Sequence, residues 1–311
     1  MNPIELAQLL FLAAMWGGSF LFIRLGVTDF GVAPLIAVRV GIGTLFLLGV
    51  LFSRRPARES AAVLRARAWP LFVVGVLNSA APFCLFAWAE LTLSAGVTSV
   101  INATTPLFGA VVAYLWLKDR LSHARVAGLV VGFVGVLALV GDQILLQAGD
   151  GVSPLATAAA AGAALLAALL YGIAASYTKR HLTGVDPLTV AAGTMAGATI
   201  ALIPFAVATW PATPISTGAW AAVVALGVLC TGVAYLLYFS LIAAIGPART
   251  ITVTFVIPVF GILWGALFLG ERVSVGMAAA CATILVGTAL ATGVIKRLPR
   301  FGAQRGGADA R

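Results

Sequence analysis

Apolar residues fall into ten long blocks, separated by short stretches rich in Gly, Pro, Arg and Asp. The blocks cover roughly 4–25, 33–52, 69–89, 94–116, 124–141, 154–177, 187–208, 218–240, 247–269 and 274–295. Most are long enough to cross a bilayer, which takes about 20 helical residues. Within lipid a backbone must satisfy its own hydrogen bonds, so such blocks are helices unless a closed barrel forms. A barrel would need shorter strands of alternating polarity, and the blocks do not alternate. The pattern therefore predicts an all-α polytopic membrane protein with ten transmembrane helices.

One stretch is written twice. TTPLFGAVVAYLWLKDRLS begins at Thr104, and VIPVFGILWGALFLGERVS begins at Val256. At one constant offset Pro106 matches Pro258, Phe108 matches Phe260, Gly109 matches Gly261 and Ser122 matches Ser274. The same offset pairs Phe86 with Tyr238 and Gly135 with Gly287, and MWGGSFLFIRL from Met15 echoes LYGIAASYTKR from Leu170. The chain thus divides into a five-helix repeat over 1–145, a second over 150–297 and a basic tail over 298–311. Five crossings are odd, so the second repeat enters the membrane inverted. Inverted repeats of this kind are typical of secondary transporters.

Charge sets the expected orientation. Arg54, Arg55, Arg58, Arg65 and Arg67 follow the second block, Lys118, Arg120 and Arg125 the fourth, and Lys179 and Arg180 the sixth. With Arg249 and the tail they lie on one side, against Arg24 and Arg272 on the other. The positive-inside rule places that richer side, and both termini, in the cytoplasm. Asp142 and Asp150 then fall in an outer gap.

Composition agrees: 9% of residues are charged and the mean hydropathy is +1.08, whereas soluble domains carry about 25% charged residues. The net charge of +9 sits in short loops with no aromatic-laced basic stripe, which argues against nucleic acid. Cys84, Cys230 and Cys281 lie inside apolar blocks without paired spacing, as small hydrophobes rather than disulfide or metal ligands.

In this order and spacing, the chain resembles the drug/metabolite transporter superfamily, with two EamA-type repeats. The resemblance is carried by Trp16-Gly17 in the first block and Arg39 in the second. It extends to Pro106 followed by Asp119-Arg120, Pro258 followed by Glu271-Arg272, and Gly-rich last helices at Gly128, Gly132, Gly135, Gly276 and Gly287. It implies ten helices, a central cavity between the halves and movement of small metabolites or drugs, often outward, across the plasma membrane. No cofactor or metal is implied; the partners are a small-molecule substrate and the bilayer, and the carrier is a monomer or a homodimer. Two departures stand out: Asp119 where Glu is usual, and alanines around Ala192 where the second half would repeat Arg39.

Candidate chemistry is sparse. Arg39 lies about 8 Å inside its block at 1.5 Å per residue. A charge at that depth is costly; it binds a substrate carboxylate, snorkels outward or ties down carbonyls. Pro106 and Pro258 each remove a backbone donor, giving hinges, cavity carbonyls or plain kinks. Trp16, Trp88, Asn102, Tyr171, Tyr235, Tyr238 and Thr254 are cavity candidates, because ligand sites combine aromatic walls with a few placed polar groups. Glu90, ending the third block, is the candidate for proton coupling; the other carboxylates sit in loops or at block ends. Ser122 and Ser274 are expected N-caps.

The leading expectation is a secondary transporter working by alternating access, exporting amino-acid-like or amphipathic solutes. The alternatives are a channel-like or a non-transport membrane protein. An intramembrane enzyme is least favoured: neither HExxH nor GxSxG occurs. A primary pump lacks its P-loop.

Overall fold

The computed structural model describes residues 1–119, 121–149 and 151–294. Arg120, Asp150 and the basic tail lie outside the described residues. All ten blocks are helical. They are α1 (Pro3–Phe30), α2 (Val32–Arg54), α3 (Ala68–Ala89), α4 (Ala95–Leu117), α5 (His123–Ala148), α6 (Pro154–His181), α7 (Pro187–Ala208), α8 (Thr217–Ile245), α9 (Val253–Leu269) and α10 (Val275–Thr292). Among the described residues nine of these are long and apolar enough to span a membrane, and α9 is a shorter apolar helix.

Local chemistry sets the ends. Asn2 and Glu5 form a reciprocal capping box at the start of α1. Between α1 and α2 stands a single residue, Gly31, at φ 75° and ψ 171°, a conformation closed to side chains with a Cβ. Ser122 and Ser274 cap α5 and α10 as expected, accepting from Arg125 N (3.4 Å) and Met277 N (2.8 Å).

Helix pairing follows the repeat. α5 packs on α10 and α2 on α7, each helix against its own counterpart, while α1·α9 is mirrored by α6·α4. Glycines make these contacts close. A methyl group placed on Gly17 of α1 would sit 2.9 Å from the Gly261 nitrogen of α9, and one on Gly172 of α6 would sit 2.9 Å from the Gly109 nitrogen of α4. This exchange of equivalent partners is the in-plane pseudo-two-fold written in backbone contacts. Small residues allow such approach where lipid supplies no hydrophobic drive between helices.

Four features depart from the sequence expectations. The fifth block continues to Ala148, so Asp142 lies within α5 rather than in a gap. The ninth begins as a separate turn, Pro247–Thr250, before α9. The loop after α2 contains a helix, Ala57–Ala66, whose buried Ser60 and half-buried Leu64 face the protein while its arginines are exposed. Its low overall apolarity hid it among the loop charges. Finally, α3 and α8 each carry one π-helical turn, at Val76–Ala80 and Val228–Val233. They occupy equivalent places in the two repeats, and π turns commonly mark functional sites.

Candidate functional site

The two π turns flank a cavity of about 350 Å³ between the repeats. From α1 come Trp16, Ser19 and Phe20; from α2, Arg39; from α3, Asn78 and Phe83. α4 supplies Asn102 and Thr105, α6 Tyr171, α8 Cys230, Thr231, Tyr235 and Tyr238, α9 Thr254, and the turn before it Ile251. Asn78 lies in the first π turn and Cys230 and Thr231 in the second. The wider turn gives Thr231 a carbonyl partner five residues back, Leu226 O, at 2.9 Å.

The structure thus brings together Trp16, Arg39, Asn102, Tyr171, Tyr235, Tyr238 and Thr254. It does not include Trp88, which is exposed away from the cavity. Phe86 lines the cavity, and Trp88, two residues further on in the same regular helical segment, stands about 200° around from it. Pro106 stands in the first turn of the second half of α4, just after a break at Ala103–Thr104. Pro258 lies inside α9, buried. Ser19, Asn78 and Thr231 belong to the lining although sequence alone gives them no mark beyond polarity.

The walls are aromatic. The Trp16 and Tyr238 rings stand 5.2 Å apart, and Phe86 lies 6.1 Å from Tyr171. Asn78 Nδ2 donates to the Tyr235 hydroxyl at 3.4 Å. Into this apolar surround projects Arg39, 4% exposed. Its Nε–H donates to Thr231 Oγ1 at 3.3 Å, and its guanidinium carbon lies 3.9 Å from the centre of the Phe83 ring. These two contacts fix the plane of the group. Neither satisfies its terminal amino groups, and no carboxylate lies within ion-pair distance among the described residues. A buried cation with open donors is held ready for an anion, since leaving it unpaired is costly. Ser19 Oγ, also lining the cavity, is buried without a partner.

The two ends of the cavity differ in exposure. Its lining residues Ala175 and Ile251 are exposed, whereas their repeat counterparts at the opposite end, Phe20 and Ser99, are buried. That opposite end is latched. Glu271, after α9, accepts from the amides of Ala95 (2.7 Å) and Gly96 (3.0 Å) at the N-terminus of α4, where a negative charge is favoured. Ser274 donates to Asp142 Oδ2 at 2.7 Å, and Asp29 accepts from Ser216 N at 3.2 Å. Asp119, the counterpart of Glu271, meets only Lys179 among the described residues, at 3.9 Å and well exposed. The equivalent helix start carries Pro247, which has no amide hydrogen to offer.

Glu271→Ala is expected to loosen this latch. Charge-assisted hydrogen bonds are worth about 2 kcal/mol each, so losing both should raise the open population at this end by roughly 10³-fold. Labelling of Val97→Cys, buried behind the latch, by a membrane-impermeant maleimide in a cysteine-free background measures it.

Two inverted bundles around a central cavity, sealed at one end, define a membrane carrier. The chain belongs to the EamA-like transporter family, whose family model matches residues 4–141 and again 158–293. Curated relatives include a protein of Streptantibioticus cattleyicolor described as "Probable terminal-alkyne amino-acid exporter", 27% identical over 82% of each chain. Another is PA1977 of Pseudomonas aeruginosa, 30% identical over 88% of this chain and 90% of that one. A solved crystal structure shares the fold with a TM-score of 0.66 at 20% identity, covering 96% of this chain and 100% of its own.

Proposed function

We propose that this EamA-family transporter exports small amphipathic solutes that carry a carboxylate, amino-acid-like molecules among them, by alternating access. The observation that carries the reading is Arg39: buried, oriented by Thr231 and Phe83, and without a counter-ion among the described residues. A carboxylate can take two parallel hydrogen bonds from a guanidinium. An amino group would meet the faces of Trp16, Tyr171 and Tyr238, where cation–π attraction supports a desolvated ammonium, and the amide oxygens of Asn78 and Asn102. The aromatic walls suit an apolar side chain. The Streptantibioticus relative, described as an exporter of an amino acid with an alkyne tail, supports this chemistry.

The placement of Arg and Lys supports a plasma-membrane protein with both termini in the cytoplasm. The mouth beside Ala175 and Ile251 then faces the cytoplasm, ready to load, and the Glu271 latch closes the outer end. Repeats 1–145 and 150–297 rock against one another. The α4 break before Pro106, and Pro258 within α9, act as hinges, because each proline leaves the carbonyl one turn back, on Asn102 and Thr254, without its helical partner.

Exchange from proteoliposomes loaded with a labelled metabolite pool tests the function. Saturable, counter-solute-dependent exit of carboxylate-bearing amphipathic solutes is expected. Equal leakage of all solutes, without saturation, would place the protein among channels instead.

A further inference from the structure

The turn Glu90–Ser94, between α3 and α4, is held from both sides at the latched end. Glu271, just after α9, holds the amides that follow the turn. Arg24 of α1 donates to the backbone carbonyl of Glu90 itself. The Glu90 side chain, by contrast, is fully buried (0% exposed), and neither carboxylate oxygen has a hydrogen-bond partner. It does not line the solute cavity. Nor does it pair with a cation within 4 Å among the described residues. The charged groups facing it come from three other parts of the fold: Glu271 just after α9, Arg24 of α1 and Arg39 of α2.

We propose that Glu90 is a proton-binding site of the latched end. Its carboxyl takes up a proton as the turn is sealed and gives it to water when that end opens. An ionised carboxylate shut away with no donor is strongly disfavoured, whereas the neutral acid is tolerated. Burial, and then the nearby Glu271 charge, push the Glu90 carboxyl upward, against the pull of Arg24 and Arg39. Once the end opens, water reaches the group and it returns to the ordinary carboxylate range.

The sign is fixed by linkage. The closed state binds the proton more tightly, so acid favours closure. The preference is lost as pH rises through the closed-state value. Between the open-state and closed-state values, each unit of acidification favours the closed end by about tenfold.

This inference rests on the alternating-access reading but not on the ligand assigned to Arg39, and its test uses no solute. Spin labels at Leu91 and Val273, exposed residues on opposite repeats of the latched end, report its width in the full chain in lipid nanodiscs. Cys84, Cys230 and Cys281 are replaced in that background. Wild type should shift from a longer to a shorter distance on acidification, and Glu90→Gln should hold the shorter distance at every pH. A wild-type distance that ignores pH, or lengthens in acid, overturns the proposal, as does a Glu90→Gln variant that titrates like wild type. Should that variant not assemble, the wild-type titration alone decides.

Discussion

Replacing Arg39 by methionine is expected to abolish transport of carboxylate solutes while leaving the empty protein at least as stable. Both halves follow from the same geometry. A bound carboxylate would gain two charge-assisted hydrogen bonds from the open amino groups, at about 1.5–3 kcal/mol each. Their loss corresponds to roughly 10²-fold or more in affinity. In the empty protein the same guanidinium is buried at 4% exposure, with one hydrogen bond and one aromatic contact. Exchanging a poorly compensated buried charge for an apolar side chain of similar length is often neutral or stabilising. Arg39→Lys should fall between, since an ammonium keeps the charge but loses the planar fork. Binding titrations alongside thermal melting separate the two effects. A methionine variant that melts much earlier would assign Arg39 a scaffold role.

The largest effect on folding should come from Gly287→Val. A Cβ at Gly287 of α10 would lie 2.3 Å from the Gly132 nitrogen, 2.5 Å from its Cα and 2.7 Å from the Gly128 carbonyl of α5. All three are backbone atoms and cannot rotate away, so the helices must part along their shared length. The cost is expected at about 3 kcal/mol or above, the upper range for overpacking. Gly141→Ala on the same helix α5 is the control. Nothing lies within 4 Å of its Cβ position, so it should be neutral or slightly stabilising. Monodispersity in detergent and melting temperature read both. Equal tolerance of the two variants would mean that α5 and α10 do not pack this closely.

The repeat was legible because the pseudo-two-fold reuses one set of backbone contacts. Gly109 and Gly261 recur in sequence because Gly172 and Gly17 press on them in turn. Arg39 was legible because a charge within an apolar block is rare, and the alanines at its second-repeat counterpart leave the cavity one cation on one side. The π turns were not legible: VLNSA and VLCTGV resemble the apolar helix around them. The Glu271 latch escaped for a different reason. An acid at a helix end reads as a loop charge, and its choice of the Ala95 and Gly96 amides depends on tertiary packing between the repeats. Asp142 was hidden similarly: a charge just after Gly141 reads as the end of a block, although Ile144, Leu145 and Leu146 carry α5 on past it.

The central claim, that the cavity holds a carboxylate through Arg39, is tested most directly by a matched pair of solutes. Counterflow into proteoliposomes is measured for an apolar amino acid and for its carboxamide, which keeps the amine and side chain but not the negative charge. The amino acid should accumulate saturably, the carboxamide should not, and Arg39→Met should erase the difference. Equal accumulation of the two, unchanged in the variant, would contradict the account.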